Sequence, residues 1–210
     1  MSEPIRISVF IDYICPFCFI GSRRLLALRE DYNLQINWCL VEIHPETPAA
    51  GMPVEDLSYT PDQWQALNRS LNELANEDGL SLPERRFTAN SHPALLLAEG
   101  VKHLDPGHFY ALHTRLFETY FLDGENIGQR NVLDALANDC GISEQVREAA
   151  WNDPEFERHL EVYRQLAGRY GVRGVPTYVL PDQVIPGVAS REALIAGLGV
   201  RRQDGVSRGP

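Results

Sequence analysis

Two cysteines set three positions apart, in the run Cys15-Pro16-Phe17-Cys18, are the residues of this chain best suited to chemistry. Thiols at that spacing can close a small disulfide ring, or supply half of a metal cage. The run lies between an apolar alternating stretch, Ile5 to Ile11, and a stretch of helical period, Phe19 to Arg29. The pair therefore sits where a helix begins. Unpaired N–H groups and the helix dipole favour negative charge there, which suits a thiolate. Helix N-termini and Cys-x-x-Cys motifs can bring a thiol pKa from about 8.5 into the range of roughly 3.5–7.5. Cys15 is placed to be the reachable attacking thiol, and Cys18, one turn inside, the sheltered resolving thiol. Pro16 costs the helix nothing at its first position, because its missing N–H had no partner. Phe17 offers the sulfur neither a hydrogen bond nor a charge. A less oxidising pair is expected than a His at that position would give.

A zinc site would need two more ligands, usually a second Cys pair or paired His. Cys39 and Cys140 stand alone, and His44, His92, His103, His108, His113 and His159 show no ligand spacing near any Cys. No metal is expected. Cys39, in an apolar run, and Cys140, on the helical face of Leu133 and Leu136, read as small buried core residues. A second informative run is Gly174-Val175-Pro176-Thr177. A Pro opening a strand cannot donate to the ladder, so it marks an edge or a special backbone position.

The elements that must hold these residues follow from periodicity. Ile5, Ile7, Val9 and Ile11 fall on one strand face, with Arg6, Ser8, Phe10 and Asp12 on the other. Cys18, Gly21, Leu25 and Leu28 share one helical face, and Leu34 to Val41 reads as a second strand. This is β-α-β with the dithiol at the first strand-to-helix turn. Residues 44–60 read as a loop. Thr60-Pro61-Asp62-Gln63 forms a capping box that opens a helix ending at Gly79. Further helices are expected over 92–104, 106–121 and 130–140, and from Asp153-Pro154 to Gly171. Strands return at Val175–Leu180 and Val184–Ile185, followed by a last helix from Ser190 to Leu198. The layout predicts an α/β chain in which two pieces of one sheet domain flank a helical insertion. The pieces are 1–55 and 153–200, the insertion is 56–152, and 201–210 is a polar flexible tail.

Hydrophobic residues make up 44% of the 210, enough for a globular core, and charged residues 23%, so the chain does not read as disordered. The net charge of −10 tends to repel nucleic acid and anionic membranes. No stretch reaches the ~20 apolar residues of a membrane helix. Met1-Ser2-Glu3-Pro4 lacks the features of a secretion signal, so a cytoplasmic, reducing compartment is expected.

The run Asp12-Tyr13-Ile14-Cys15-Pro16-Phe17-Cys18, with Ile20-Gly21 following, and the late Gly171-Val172-Arg173-Gly174-Val175-Pro176-Thr177 together resemble the DsbA family of thioredoxin-fold proteins. More narrowly they are similar to its FrnE-like branch, as are Asn90-Ser91, Leu116-Phe117, Tyr120-Phe121 and Asn126-Ile127. The resemblance spans residues 5–198. It implies a thioredoxin fold with an all-helical insertion, and a cis Val175-Pro176 bond beside Cys15. It also implies a substrate-binding role for Val175 and Pro176, with Pro176 helping to keep metal off the thiols. Asp12 has two open readings: a buried proton acceptor for Cys18, since desolvation raises a carboxyl pKa, or a carboxylate capping the next turn. Asn90 either lines the cleft or caps the helix that starts near His92.

The leading reading is a thiol–disulfide oxidoreductase or isomerase acting on a protein or small-molecule disulfide. No cofactor is expected beyond a thiol donor such as glutathione or thioredoxin. Glutathione-dependent transferases and 2-hydroxychromene-2-carboxylate isomerases adjoin this branch. They usually carry Ser where Cys15 stands, so the intact dithiol argues against that chemistry. A third reading is a redox-linked chaperone whose sticky wall would be Phe109, Tyr110, Phe117, Tyr120 and Phe121; helical core is the plainer explanation of those rings.

Overall fold

The computed structural model describes residues 4–199. The tail expected over 201–210 lies outside the described residues. The chain opens β1 (Ile5–Ile11), α1 (Pro16–Asp31), β2 (Leu34–Leu40). It closes α7 (Pro154–Arg169), β5 (Thr177–Val179), β6 (Val184–Pro186), α8 (Arg191–Gly197). The four strands form one sheet in the order β2-β1-β5-β6. The first pair is parallel and the other two pairs are antiparallel. This is the β-α-β plus β-β-α arrangement of the thioredoxin fold.

Between the two halves run α2 (Pro61–Glu77), α3 (His92–Leu104), α4 (Phe109–Phe121), α5 (Arg130–Asp139) and α6 (Glu144–Asn152). A minor hairpin, β3 (Met52–Pro53) with β4 (Phe87–Thr88), ties the ends of the segment that carries α2. The capping box at Thr60 and Gln63 forms in both directions. Two details depart from the periodicity. The loop expected over 44–60 contains β3 and a 3₁₀ turn at Val54–Asp56. The helix α6 is additional; Ser143, whose side chain accepts from Val146 N, is its local signal.

β1 begins with the alternation of a half-covered strand, but from Val9 onward every residue is buried. Its second face is closed where Tyr170 meets Phe10, their ring centroids 6.3 Å apart. The strand thus enters the core as it approaches the dithiol. Phe109, Phe117, Tyr120 and Phe121 are buried in that core and only Tyr110 is half-exposed, so the aromatic run is interior packing rather than a surface wall.

α3 is the helix around which the insertion packs, with Ala94 to Val101 all buried. It approaches α6 so closely that a Cβ on Gly100 would lie 2.3 Å from Ala150 Cβ and 2.7 Å from Ala150 Cα. Gly costs a helix interior about 1 kcal/mol relative to Ala. Its presence here is explained by the crossing. Gly100→Ala is expected to lower stability by about 1–2 kcal/mol, overpacking outweighing the propensity gain. Urea unfolding should show a lower midpoint with an unchanged slope, and an unchanged or raised midpoint would contradict the tight crossing.

Candidate active site

Cys15 is the N-cap of α1, with φ −87° and ψ 115°, and Pro16 follows at the first helical position. The Cys18 N–H donates to Cys15 Sγ at 3.3 Å, so the sulfur occupies the place of a capping oxygen. On its other side the Cys15 thiol donates to the Val175 carbonyl at 3.4 Å, across 160 residues of sequence. The two informative runs of the sequence therefore meet at one sulfur. Cys15 is covered more fully than its expected reachability implied, with 4% exposure against 0% for Cys18. The Val175 carbonyl lies against its sulfur.

The loop itself is held by two bonds. Thr177 Oγ1 donates to the Gly174 carbonyl at 2.7 Å, and Gly187 N donates to the Pro176 carbonyl at 2.8 Å. The Val175-Pro176 bond is cis. On the facing helix, Gly21 is the reason the loop can come so near. A Cβ there would lie 2.4 Å from Tyr178 Oη and 3.3 Å from Pro176 Cγ.

Cys18 differs from Cys15 in having no outlet. Burial pushes its pKa well above the ordinary thiol value, and the hydrogen bond and charge of Cys15 add to that. Asp12 is also fully buried, at the end of β1. Its Oδ1 accepts from Ile14 N at 3.3 Å, and its Oδ2 from Ile43 N at 2.9 Å and Ser91 Oγ at 3.0 Å. Burial pushes its pKa up to about 7 against these three bonds, and the charge of Glu42 adds to the rise. The Asp12 carboxylate braces the turn at Ile14, and its charge acts on Cys18.

Ser91 is the N-cap of α3 yet makes no capping bond from its side chain, since its hydroxyl goes to Asp12. Asn90 takes over. Its Oδ1 accepts from His92 N at 3.0 Å, while its Nδ2 donates to the Thr47 carbonyl at 2.7 Å. Both ends of its amide are thus engaged in holding the start of α3 to the 44–50 loop.

Two residues near the dithiol carried no signal in the sequence. Arg85, from the segment between α2 and β4, donates from Nη1 to the Ile14 carbonyl at 3.2 Å and from Nη2 to the Phe87 carbonyl at 2.9 Å. His113, on α4, is fully buried between Tyr13 Oη (2.9 Å from Nδ1) and Ser22 Oγ (2.7 Å from Nε2). Burial, with the charge of Lys102, pulls its pKa down to about 3, so the ring is neutral. It joins the turn before Cys15, the helix after it and the insertion.

The remaining thiols lie apart from this site. Burial pushes the Cys39 thiol up to about 12, and Cys140 is half-buried at the end of α5 rather than fully in the core. Glu99, His103 and His159 have ligand-like spacing. Their carboxylate is already occupied. Lys102 Nζ lies 2.5 Å from Oε2, and Oε1 meets His103, His159 and the Tyr163 hydroxyl at 2.9–3.1 Å. That group is a buried ionic clasp between α3 and α7.

The chain matches the family described as DSBA-like thioredoxin domain over residues 6–198. It is 30% identical over 197 residues to the Bacillus subtilis (strain 168) protein named "Uncharacterized protein YwbO", covering 90% of this chain and 92% of that one. In three dimensions it is similar to a probable DsbA oxidoreductase from Streptomyces coelicolor, with TM-score 0.78 and 21% identity over 97% of this chain and 94% of that one. It is also similar to the cytosolic disulfide reductase DsbM from Pseudomonas aeruginosa with GSH. There the TM-score is 0.69 and the identity 21%, over 93% of this chain and 100% of the other.

The raised pKa of Asp12 fixes a pH dependence. An unfolded Asp titrates near 3.8 and this one near 7, so between those values the folded chain keeps a proton that the unfolded chain has lost. The stability this provides is complete below about pH 4 and is lost as pH rises through about 7, at about 1.4 kcal/mol per pH unit. Asp12→Asn carries no charge and keeps one acceptor oxygen, leaving either Ile14 N or Ile43 N without its acceptor. Its stability relative to wild type should therefore rise by on the order of 1–3 kcal/mol from pH 4 to pH 8. Denaturant unfolding of both proteins at the two pH values checks this; a difference that does not grow from pH 4 to pH 8 would contradict burial as the dominant cause.

Proposed function

The chain belongs to the DSBA-like thioredoxin domain family, and on that premise we propose that it runs thiol–disulfide exchange with Cys15 as nucleophile and Cys18 as resolving thiol. The observation that carries this assignment of roles is the unequal setting of the two sulfurs. Cys15 sits at the helix N-terminus with Cys18 N–H already pointed at it, whereas Cys18 is sealed in the core. Loss of the Cys15 proton breaks the bond to the Val175 carbonyl but keeps the one from Cys18 N–H, which is stronger to an anion.

In the first step the Cys15 thiolate attacks one sulfur of a substrate disulfide. That S–S bond breaks and its electron pair leaves on the second sulfur, which takes up a proton. The Cys18 thiol then passes its proton to a base and attacks Cys15 Sγ. The mixed disulfide breaks, and the substrate leaves as a second thiol. The substrate has gained two electrons, and the enzyme holds a Cys15–Cys18 disulfide. We assign the base to Asp12, whose pKa of about 7 lets it accept a proton near neutrality and whose charge already acts on Cys18. Val175 and Pro176 are the substrate-docking backbone, beside the sulfur that reacts.

A thiol donor must re-reduce the pair. Glutathione is the donor we favour, because the similar DsbM structure was solved with GSH. In a reducing compartment the net direction would be reduction or isomerisation. Among the described residues, no helix is long and apolar enough to cross a membrane. We also take 1–55 with 153–200 as the thioredoxin-like unit, and 56–152 as its insertion.

Reduction of insulin by glutathione should fall to the uncatalysed rate in Cys15→Ser. Cys18→Ser should still attack, and should accumulate a substrate adduct visible on a non-reducing gel. Equal rates in wild type and Cys15→Ser would defeat the reading. Turnover that survives Cys18→Ser, with saturable glutathione dependence, would instead favour a glutathione transferase or isomerase.

A further inference from the structure

Arg85 lies deep enough for burial to work against its charge, yet no carboxylate stands within ion-pair distance of it among the described residues. A guanidinium in that position is costly unless something offsets its charge. Two carbonyl oxygens do part of this, those of Ile14 and Phe87. Two aromatic faces do more, for the guanidinium carbon lies 3.7 Å from the centroid of Tyr120 and 4.8 Å from that of Phe121. All four contacts are to neutral groups. They hold the cation in place without neutralising it.

The carbonyl that Arg85 grips belongs to the residue immediately before Cys15. Cys15 is also the group whose charge favours the charged form of Arg85. Titratable side chains in electrostatic contact with Cys15 include Cys18 on α1, Tyr178 on β5, Tyr59 in the loop before α2, and Arg85. Tyr59, 40% exposed, has His44 Nε2 at 3.4 Å from its hydroxyl. A Cys15 anion disfavours ionisation of the thiol and of both phenols. Arg85 is the one cation of the four.

We propose that Arg85 is a positioning residue that holds an uncompensated positive charge for the Cys15 thiolate, so that the helical insertion supplies the counter-charge of the nucleophile. The inference rests on Cys15 being the attacking thiol. Arg85 has no acid or base work to do. Its charge is fixed by α4 before the anion forms, so no reorganisation accompanies proton loss. When Cys15 passes into a mixed disulfide, the anion disappears and Arg85 is again without a partner.

The test is the pH profile of Cys15 alkylation by iodoacetamide, read on the Cys15 peptide by mass spectrometry so that Cys39 and Cys140 do not contribute. Arg85→Gln should move the midpoint up by about one pH unit or more and slow alkylation at pH 6 by about tenfold. Arg85→Lys, which keeps the charge, should restore at least half of the shift. An unmoved midpoint in Arg85→Gln, or equal shifts in Gln and Lys, would overturn the proposal in favour of a packing role alone. Wild-type protein gives a second reading that needs no folded Gln variant. The Arg85 guanidinium ¹³Cζ resonance should titrate with the alkylation midpoint of Cys15 and stay flat in Cys15→Ser; a flat wild-type resonance would also overturn it. Insulin reduction by Cys15→Ser separates failure of the exchange mechanism from failure of the Arg85 assignment, because neither the alkylation profile nor the resonance depends on turnover.

Discussion

The antiparallel pairing of β5 with β1 is the constraint on which the site depends. Phe10 stands opposite Thr177, and Val9 opposite Tyr178. That register delivers Val175 to the point where β1 has run out into the turn holding Cys15. Pro176 has no N–H with which to extend the ladder. The backbone leaves the sheet there, and the Val175 carbonyl meets the sulfur instead of a strand partner. A slip of one residue would exchange the two faces of β5, turning Tyr178 out of the core and moving the loop away from the thiol. The nearness of two segments 160 residues apart is therefore a property of sheet register, reinforced by the missing Cβ at Gly21.

Both thiols are buried, and place on the helix separates them more than exposure does. Both belong to one helical turn, but one caps the helix and the other faces the interior. The same desolvation that keeps Cys18 protonated lifts Asp12 to about 7 and works against the charge on Arg85. The three groups are not equivalent, because charge costs most where hydrogen-bond partners are fewest. Asp12 has three donors and can carry charge part of the time. Cys18 has no comparable set. Negative charge is therefore costlier at Cys18 than at Asp12.

Much of this was legible in the amino-acid sequence, for a physical reason. β1, α1 and β2 are marked by local periodicity, and the capping residues Thr60 and Asp153 announce their helices within a few positions. The pairing of Cys15 with the Val175 loop was legible only through family resemblance, since nothing local links residues so distant. Arg85, His113 and the hairpin of β3 with β4 were not legible. An arginine in a charged segment and a histidine in an aromatic helix are ordinary locally. Their meaning comes from tertiary partners, Ile14 and Tyr120 for one, Tyr13 and Ser22 for the other. α6 was missed because its helix is short and its apolar face, centred on Ala150, is small. Ser91 shows the converse. It sits where a capping side chain belongs, and its hydroxyl is drawn away by Asp12.

The neutral joint at His113 has a consequence for how the two parts of the molecule respond to their surroundings. Exposed ion pairs such as Arg115 with Glu118 weaken as dissolved ions accumulate, because mobile counter-ions screen them within about 10 Å at 0.1 M. The Tyr13–His113–Ser22 chain is buried and contains no full charge, so screening has nothing to act on. The attachment of the insertion beside the dithiol is thereby insulated from ionic strength. Rising ionic strength weakens the exposed ion pairs of this acidic protein while leaving that hydrogen-bonded chain untouched.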